Sequence, residues 1–118
     1  MKPYTVITIS YMLLITFLSH IPQDDLPKSG PDGTDYLFHF VEYSILGFLL
    51  FRSITYDELL IFHPFYGSLL IGISFAILDE FHQSFVPGRH MSSIDMIFDS
   101  LGILFGTFIC SKIVFDSF

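Results

Sequence analysis

The chain has 118 residues, which is enough for one domain, and 52% of them are hydrophobic while only 14% are charged. A water-soluble domain carries about 25% charged residues, so this composition excludes an ordinary soluble fold and favours a protein embedded in lipid. The net charge of −7 excludes the basic surface that nucleic acid requires, and we expect no nucleic-acid partner.

Four apolar segments follow one another along the chain, and a spanning helix needs about 20 mostly apolar residues. The predicted helices cover approximately residues 3–19, 36–52, 59–82 and 93–114. The first resembles a signal peptide, but no small-x-small cleavage site follows it, so we expect it to remain as a span. The prediction is an all-α polytopic membrane protein, a single domain over residues 1–118 built as an antiparallel bundle of four transmembrane helices.

The segments between these helices have the composition of connections. Residues 21–35 are rich in Pro and Gly, residues 52–58 are predicted to form a short polar connection, and residues 86–89 read Val-Pro-Gly-Arg, which suits a type II turn. Alternating spans would place Lys2, Arg52 and Lys112 on one side of the membrane, with Lys28 and Arg89 on the other. Three positive charges against two favour both termini in the cytoplasm.

Alternation also brings the end of the first helix, the start of the second, the end of the third and the start of the fourth to one membrane surface. The polar residues of the chain concentrate at these ends. Spacings of three and four residues place several of them on common helix faces. The predicted polar cluster comprises His39, Glu42, Tyr43, Asp79, Glu80, His82, Gln83, Arg89, Asp95 and Asp99.

A carboxylate at mid-bilayer costs roughly 2.5–3.5 kcal/mol on insertion scales, so these acids must pair, protonate, bind a ligand or stay near water. Simpler roles compete for some of them. Asp95 follows Ser92 by three residues, as in a helix capping box. Glu80 is expected to face lipid headgroups, and Arg89 can extend to a phosphate. A purely structural polar lock between helices is the alternative for the cluster as a whole.

Gly102 and Gly106 form a GxxxG motif in the fourth helix, a spacing that lets two helix backbones approach closely. The partner helix is either in the same chain or in a second copy, and a homo-oligomer through this helix is therefore one expectation.

Residues 79–89 read DEFHQSFVPGR, and this run resembles the D-E-x-H-Q-x-F-x-P-x-R signature of the VanZ-like family of membrane proteins. Residues 39–47 match the pattern H-F-x-x-Y-x-x-L-G, and Ser93, Asp95, Gly102 and Gly106 loosely follow the continuation, with Ser92 giving the better S-x-x-D spacing. The family often has Asp-Lys where this chain has Asp35 followed by Tyr36, and often Asn where it has Asp99. Both departures make the site more acidic.

The resemblance implies a multi-pass protein of the bacterial plasma membrane. The family's namesake accompanies resistance to glycopeptide antibiotics, chiefly teicoplanin, which is a phenotype and not a reaction. Three functions follow as hypotheses. The first is a non-catalytic envelope protein that binds a lipid headgroup or a lipid-linked cell-wall precursor, with Arg89 contacting an anionic group. The second is an intramembrane hydrolase or transferase acting on a lipid substrate. The third, ranked last, is a proton- or ion-linked carrier.

No cofactor is certain from the sequence, but a divalent metal suits the second hypothesis. Carboxylate oxygens and imidazole nitrogens are ligands for Mg²⁺, Mn²⁺ or Zn²⁺. The candidate ligands are His39, Glu42, Asp79, His82 and Asp99. Alternatively, His82 acts as a general base oriented by Asp79 or Glu42. The usual hydrolase, zinc-protease and P-loop motifs are absent from the sequence.

Overall fold

The computed structural model describes residues 2–19, 34–58, 63–85 and 93–116, and these residues fold into four α-helices with no strand. The helices are α1 (Pro3–Ser19), α2 (Thr34–Tyr56), α3 (Pro64–Gln83) and α4 (Ser93–Asp116). The all-α prediction is confirmed. In α2, α3 and α4 the segments Leu37–Tyr56, Pro64–Gln83 and Ser93–Val114 are long and apolar enough to cross a membrane, whereas α1 is a shorter apolar helix of 17 residues.

Contacts between helices give their relative directions. Between α2 and α4, His39 meets Asp99 and the Thr107 hydroxyl lies 3.4 Å from the Gly47 carbonyl oxygen, so residue numbers increase together and these two helices are parallel. Between α2 and α3, Tyr43 meets Asp79, while Phe65, near the start of α3, packs against the Phe51 cluster; α3 is therefore antiparallel to α2. The helix α1 is antiparallel to α2 as well, because its first residues contact the last residues of α2.

Glycines allow α2 and α4 to pack closely. A Cβ atom built on Gly102 would lie 2.5 Å from the Phe40 carbonyl oxygen, and one built on Gly106 would overlap the Ser44 carbonyl. From the other side, Gly47 of α2 faces the backbone of Ile103. Of the two partners that the GxxxG motif left open, the structure therefore uses a helix of the same chain. A homo-oligomer through this helix stays a prediction.

The interior and the exterior of the bundle are both apolar. Ile15, Leu46, Ala76 and Ile103 are at most 1% exposed and belong to one core cluster. Large apolar side chains are equally abundant outside, and Leu13, Phe17, Leu70, Leu78 and Phe108 are among those exposed. A water-soluble protein rarely exposes so continuous an apolar surface, and a bilayer accepts one.

The predicted polar connection over residues 52–58 is largely wrong, because α2 continues to Tyr56. Two polar side chains in this stretch, Ser53 and Asp57, face α1 and form hydrogen bonds with it. The Ser53 hydroxyl donates to the carbonyl oxygens of Leu49 at 2.8 Å and Tyr4 at 2.9 Å, and it also contacts the Thr8 hydroxyl. Polar residues therefore stabilise a helix–helix contact here and do not end the helix.

The start of α3 also differs from the prediction. The helix begins at Pro64, whose missing N–H suits a first helical position. His63 is the N-cap, and its Nδ1 accepts a hydrogen bond from the Phe65 backbone N at 3.1 Å. The predicted helical residues 59–62 lie outside the described residues, as do most of the predicted loop 21–35 and the turn at 86–89.

Asp57, just after α2, caps the N-terminus of α1. Its Oδ2 accepts hydrogen bonds from the Thr5 backbone N at 2.7 Å and the Thr5 hydroxyl at 2.6 Å. The Lys2 ammonium donates to the Asp57 carbonyl oxygen at 2.6 Å. Because Asp57 is only 3% exposed and the first N–H groups of a helix lack partners within it, this carboxylate fixes α1 to the bundle.

Substituting Asp57→Ala is expected to destabilise the protein by about 1–2 kcal/mol, because it removes an acceptor for the first turn of α1. The free energy of unfolding can be measured by far-UV circular dichroism during SDS titration of detergent-solubilised protein. The neighbouring Glu58→Gln is the matched control, since Glu58 is exposed, and its effect should stay within about 0.5 kcal/mol. Equal effects of the two substitutions would contradict the capping role.

Gly106→Val is expected to cost about 3 kcal/mol or more, above the usual range for overpacking, since the backbone of α2 leaves no space for a side chain. The same SDS titration measures the loss. Leu104→Ala, on the exposed side of α4, is the control and should change stability far less. A stable, monodisperse Gly106→Val protein would show that α2 and α4 are farther apart than described.

Candidate functional site

Polar side chains from three helices meet where α2 begins, α3 ends and α4 begins. His39 lies in the second turn of α2, Glu80 in the last turn of α3 and Asp99 in the second turn of α4. The alternating helix directions bring these positions to the same end of the bundle. We call His39, Glu80 and Asp99 the three-helix polar group.

His39 and Asp99 form the shortest polar contact of this site. The Nδ1 atom of His39 lies 2.8 Å from Asp99 Oδ1, a distance at which the imidazole donates a hydrogen bond to the carboxylate. On the other side of the ring, Nε2 lies 3.9 Å from Asp95 Oδ2. The side chains of His39 and Asp95 are 18% and 17% exposed, whereas that of Asp99 is only 1% exposed. The site therefore has a partly exposed rim and a buried carboxylate behind it.

Asp79 forms a second buried contact between α3 and α2. Its Oδ2 accepts hydrogen bonds from the Tyr43 hydroxyl at 3.1 Å and from the Gln83 amide at 3.3 Å. All three side chains are at most 5% exposed. This arrangement satisfies a buried acid with neutral donors and connects the start of α2 to the end of α3.

Glu80 is fully buried, at 0% exposure, so the expectation that it faces lipid headgroups is wrong. The cause is the packing face of α3. Ser68, Gly72 and Ala76 are buried and spaced by four residues, and Glu80 continues the series. Asp79 lies about 100° away and is also buried, because the α2–α4 pair covers a wide arc of this helix.

One donor atom from each member of the three-helix polar group lies within 4.8 Å of the others. The group supplies one imidazole nitrogen and two carboxylate oxygens. Of the five metal ligands proposed from the sequence, it includes His39 and Asp99, and it adds Glu80. Among the described residues it is the one group of three or more such side chains at this spacing.

The remaining predicted ligands lie elsewhere. Asp79 is buried but bonded to Tyr43 and Gln83, and Glu42 is half-buried outside the three-residue group. His82 is exposed, so the prediction that it faces the common interior is wrong: it follows Glu80 by two residues, which turns it about 200° around α3. Arg89 and the capping residue Ser92 lie outside the described residues.

The sequence analysis missed two features. It left Glu80 out of the proposed ligands, although the spacing of Gly72, Ala76 and Glu80 would have predicted its burial beside small residues. It also assigned no role to Asp57, which follows Ser53 by four residues.

The fold and the site define a class of protein: a helical membrane protein with a buried acid–imidazole group at one end of its spans. The model of the VanZ/LLP1 family matches residues 10–115, and the chain therefore belongs to this family. This confirms the resemblance drawn from the sequence. No curated protein is significantly similar to the chain. No solved structure is significantly similar to it either.

His39→Phe should destabilise the protein by about 3–5 kcal/mol, because it leaves a buried carboxylate without its donor. Adding Asp99→Asn to this variant should restore part of the loss, since the charge is then gone. SDS titration in the presence of a chelator measures both effects.

The control for these two variants is His82→Phe, on the exposed side of α3, which should have little effect on stability. If Asp99→Asn added its full individual cost to His39→Phe, the two residues would be independent, and the contact between them would be refuted.

Proposed function

We propose that this protein binds the polar headgroup of a membrane lipid or a lipid-linked cell-wall precursor at one surface of the bacterial plasma membrane. One observation carries the proposal: the partly exposed His39 of α2 and Asp95 of α4 adjoin the buried Asp99 of α4 at one end of the bundle. A headgroup at that surface would reach hydrogen-bonding groups without crossing the apolar part of the bundle.

The chemistry of the site favours headgroups that carry hydrogen-bond donors. Carboxylates accept hydrogen bonds from sugar hydroxyls and ammonium groups, and an imidazole can donate or accept. A headgroup also carries phosphate, which the acids at this end of the bundle (Asp79, Glu80, Asp95 and Asp99) would repel. Arg89, from the predicted turn after α3, is the proposed phosphate contact because guanidinium binds phosphate through paired, charge-assisted hydrogen bonds.

Apolar side chains beside the site suit the lipid part of such a ligand. Phe38, Phe81 and Phe85 are more than half exposed. The rings of Phe81 and Phe85 pack edge to face, with centroids 5.3 Å apart. These rings would contact acyl or isoprenoid chains while the headgroup occupies the polar site.

The distribution of positive charge supports an orientation for this role. Lys2 contacts Asp57 at the far end of α2, and Arg52 lies over the Tyr4 ring at 4.8 Å, so both are at the end opposite the polar site, as is Lys112 near the end of α4. The positive-inside rule then favours cytoplasmic termini and a site at the outer leaflet. Binding a cell-wall precursor there is the proposed link to teicoplanin-type resistance.

The three-helix polar group favours one alternative, an intramembrane metal-dependent hydrolase or transferase. A metal bound by three protein ligands keeps open positions for water or substrate. Incubating the reconstituted protein with a lipid-linked sugar precursor, with and without chelator, separates the two functions. Metal-dependent release of product would favour the enzyme over the binding protein.

Native mass spectrometry of the purified full-length protein can test headgroup binding. The wild type should retain phosphatidylethanolamine, phosphatidylglycerol or an added polyisoprenyl-pyrophosphate-linked sugar. Arg89→Ala should weaken that binding by about 10–100-fold, since charge-assisted hydrogen bonds contribute about 1.5–3 kcal/mol. Asp95→Asn should weaken it less.

The control for this experiment is Glu58→Gln, at the opposite end of the bundle, which should bind like the wild type. Unchanged lipid binding in both Arg89→Ala and Asp95→Asn would refute the proposed site.

A further inference from the structure

We infer that His39, Glu80 and Asp99 together bind one divalent metal ion at the junction of α2, α3 and α4. Each helix contributes one donor, and the three donor atoms lie within 4.8 Å of one another. The inference stands on this geometry and does not depend on headgroup binding.

The spacing is close to that of a metal site. Metal–nitrogen and metal–oxygen bonds of about 2.0–2.2 Å place two ligands on opposite sides of an ion about 4.2 Å apart, and adjacent ligands closer. The three donor atoms, which all lie within 4.8 Å of one another, are therefore near these separations. One imidazole with two carboxylates suits Mn²⁺, Fe²⁺ or Zn²⁺, whereas Ca²⁺ takes six to eight oxygen ligands.

A second observation concerns the buried carboxylate of Asp99. The Oδ2 atom of Asp99 is buried and has no hydrogen-bond partner within the described part of the chain. The residue is 1% exposed, and its other carboxylate oxygen is hydrogen-bonded to His39. Since both oxygens share one carbon atom, Oδ2 lies at the same three-helix polar group. A buried acceptor left unsatisfied costs about 1–3 kcal/mol, and more when it is charged, and a bound cation would remove that cost.

The competing interpretation is a structural ion pair between His39 and Asp99 with no metal. Experiments on full-length protein in detergent, from which metal has been removed with a chelator and to which no lipid is added, distinguish these two interpretations. Titration with Mn²⁺ or Zn²⁺, followed by calorimetry and elemental analysis, should show one bound ion per chain. Glu80→Gln and Asp99→Asn should each weaken the affinity by more than about tenfold, the loss expected from even an outer-shell partner. His82→Ala, two residues from Glu80 and exposed, should bind like the wild type.

Two measurements on proteins with the three ligands intact keep the inference testable if these variants fail to fold. Added Mn²⁺ should raise the melting temperature of the stripped wild type, because an ion that binds only the folded state stabilises it. Electron spin echo spectra of bound Mn²⁺ should show coupling to an imidazole nitrogen that persists in His82→Ala.

A wild type that binds no ion and shows no thermal shift would overturn the inference, as would folded Glu80→Gln and Asp99→Asn variants with wild-type affinity. Because lipid is absent throughout, neither result bears on headgroup binding.

Discussion

Carboxylates buried inside an apolar bundle impose the constraint on which the rest of this structure depends. Asp79, Glu80 and Asp99 are each at most 5% exposed, and an isolated charge in such surroundings is strongly unfavourable. Hydrogen bonds between helices stabilise two of these carboxylates: Asp79 is bonded to Tyr43 and Asp99 to His39. The acids therefore determine which helices must meet and at which residues.

Close packing of α2 and α4 makes those contacts geometrically available. Gly47, Gly102 and Gly106 remove the side chains that would separate the two helices, and the resulting approach brings His39 to 2.8 Å from Asp99. At the opposite end, Asp57 holds α1 through Thr5. The polar contacts at the two ends differ in kind, since the Asp57 contacts satisfy helix-end groups while the three-helix polar group brings together an imidazole and two carboxylates from three helices.

The sequence predicted the helices, their alternation and the end at which the acids gather. The length of the apolar segments and the Pro and Gly residues between them are local signals that can be read from the sequence. It did not predict which acids face inward. Glu80 and His82 are two residues apart, and only the position of the α2–α4 pair decides that Glu80 is buried and His82 exposed. The polar residues 52–58 likewise indicated a connection. The contacts that keep this stretch helical, Ser53 with Tyr4 and Asp57 with Thr5, join residues about 50 positions apart and leave no local signal.

Solid-state NMR in lipid bilayers tests the central claim most directly, by measuring the dipolar coupling between ¹⁵N-labelled histidine rings and ¹³C-labelled aspartate carboxyl groups. The account predicts a strong coupling between His39 Nδ1 and the Asp99 carboxyl, in keeping with the 2.8 Å contact between Nδ1 and Oδ1, and its disappearance in His39→Phe. A coupling that survives His39→Phe unchanged, or no strong coupling in the wild type, would contradict the convergence of these helices on one buried polar group.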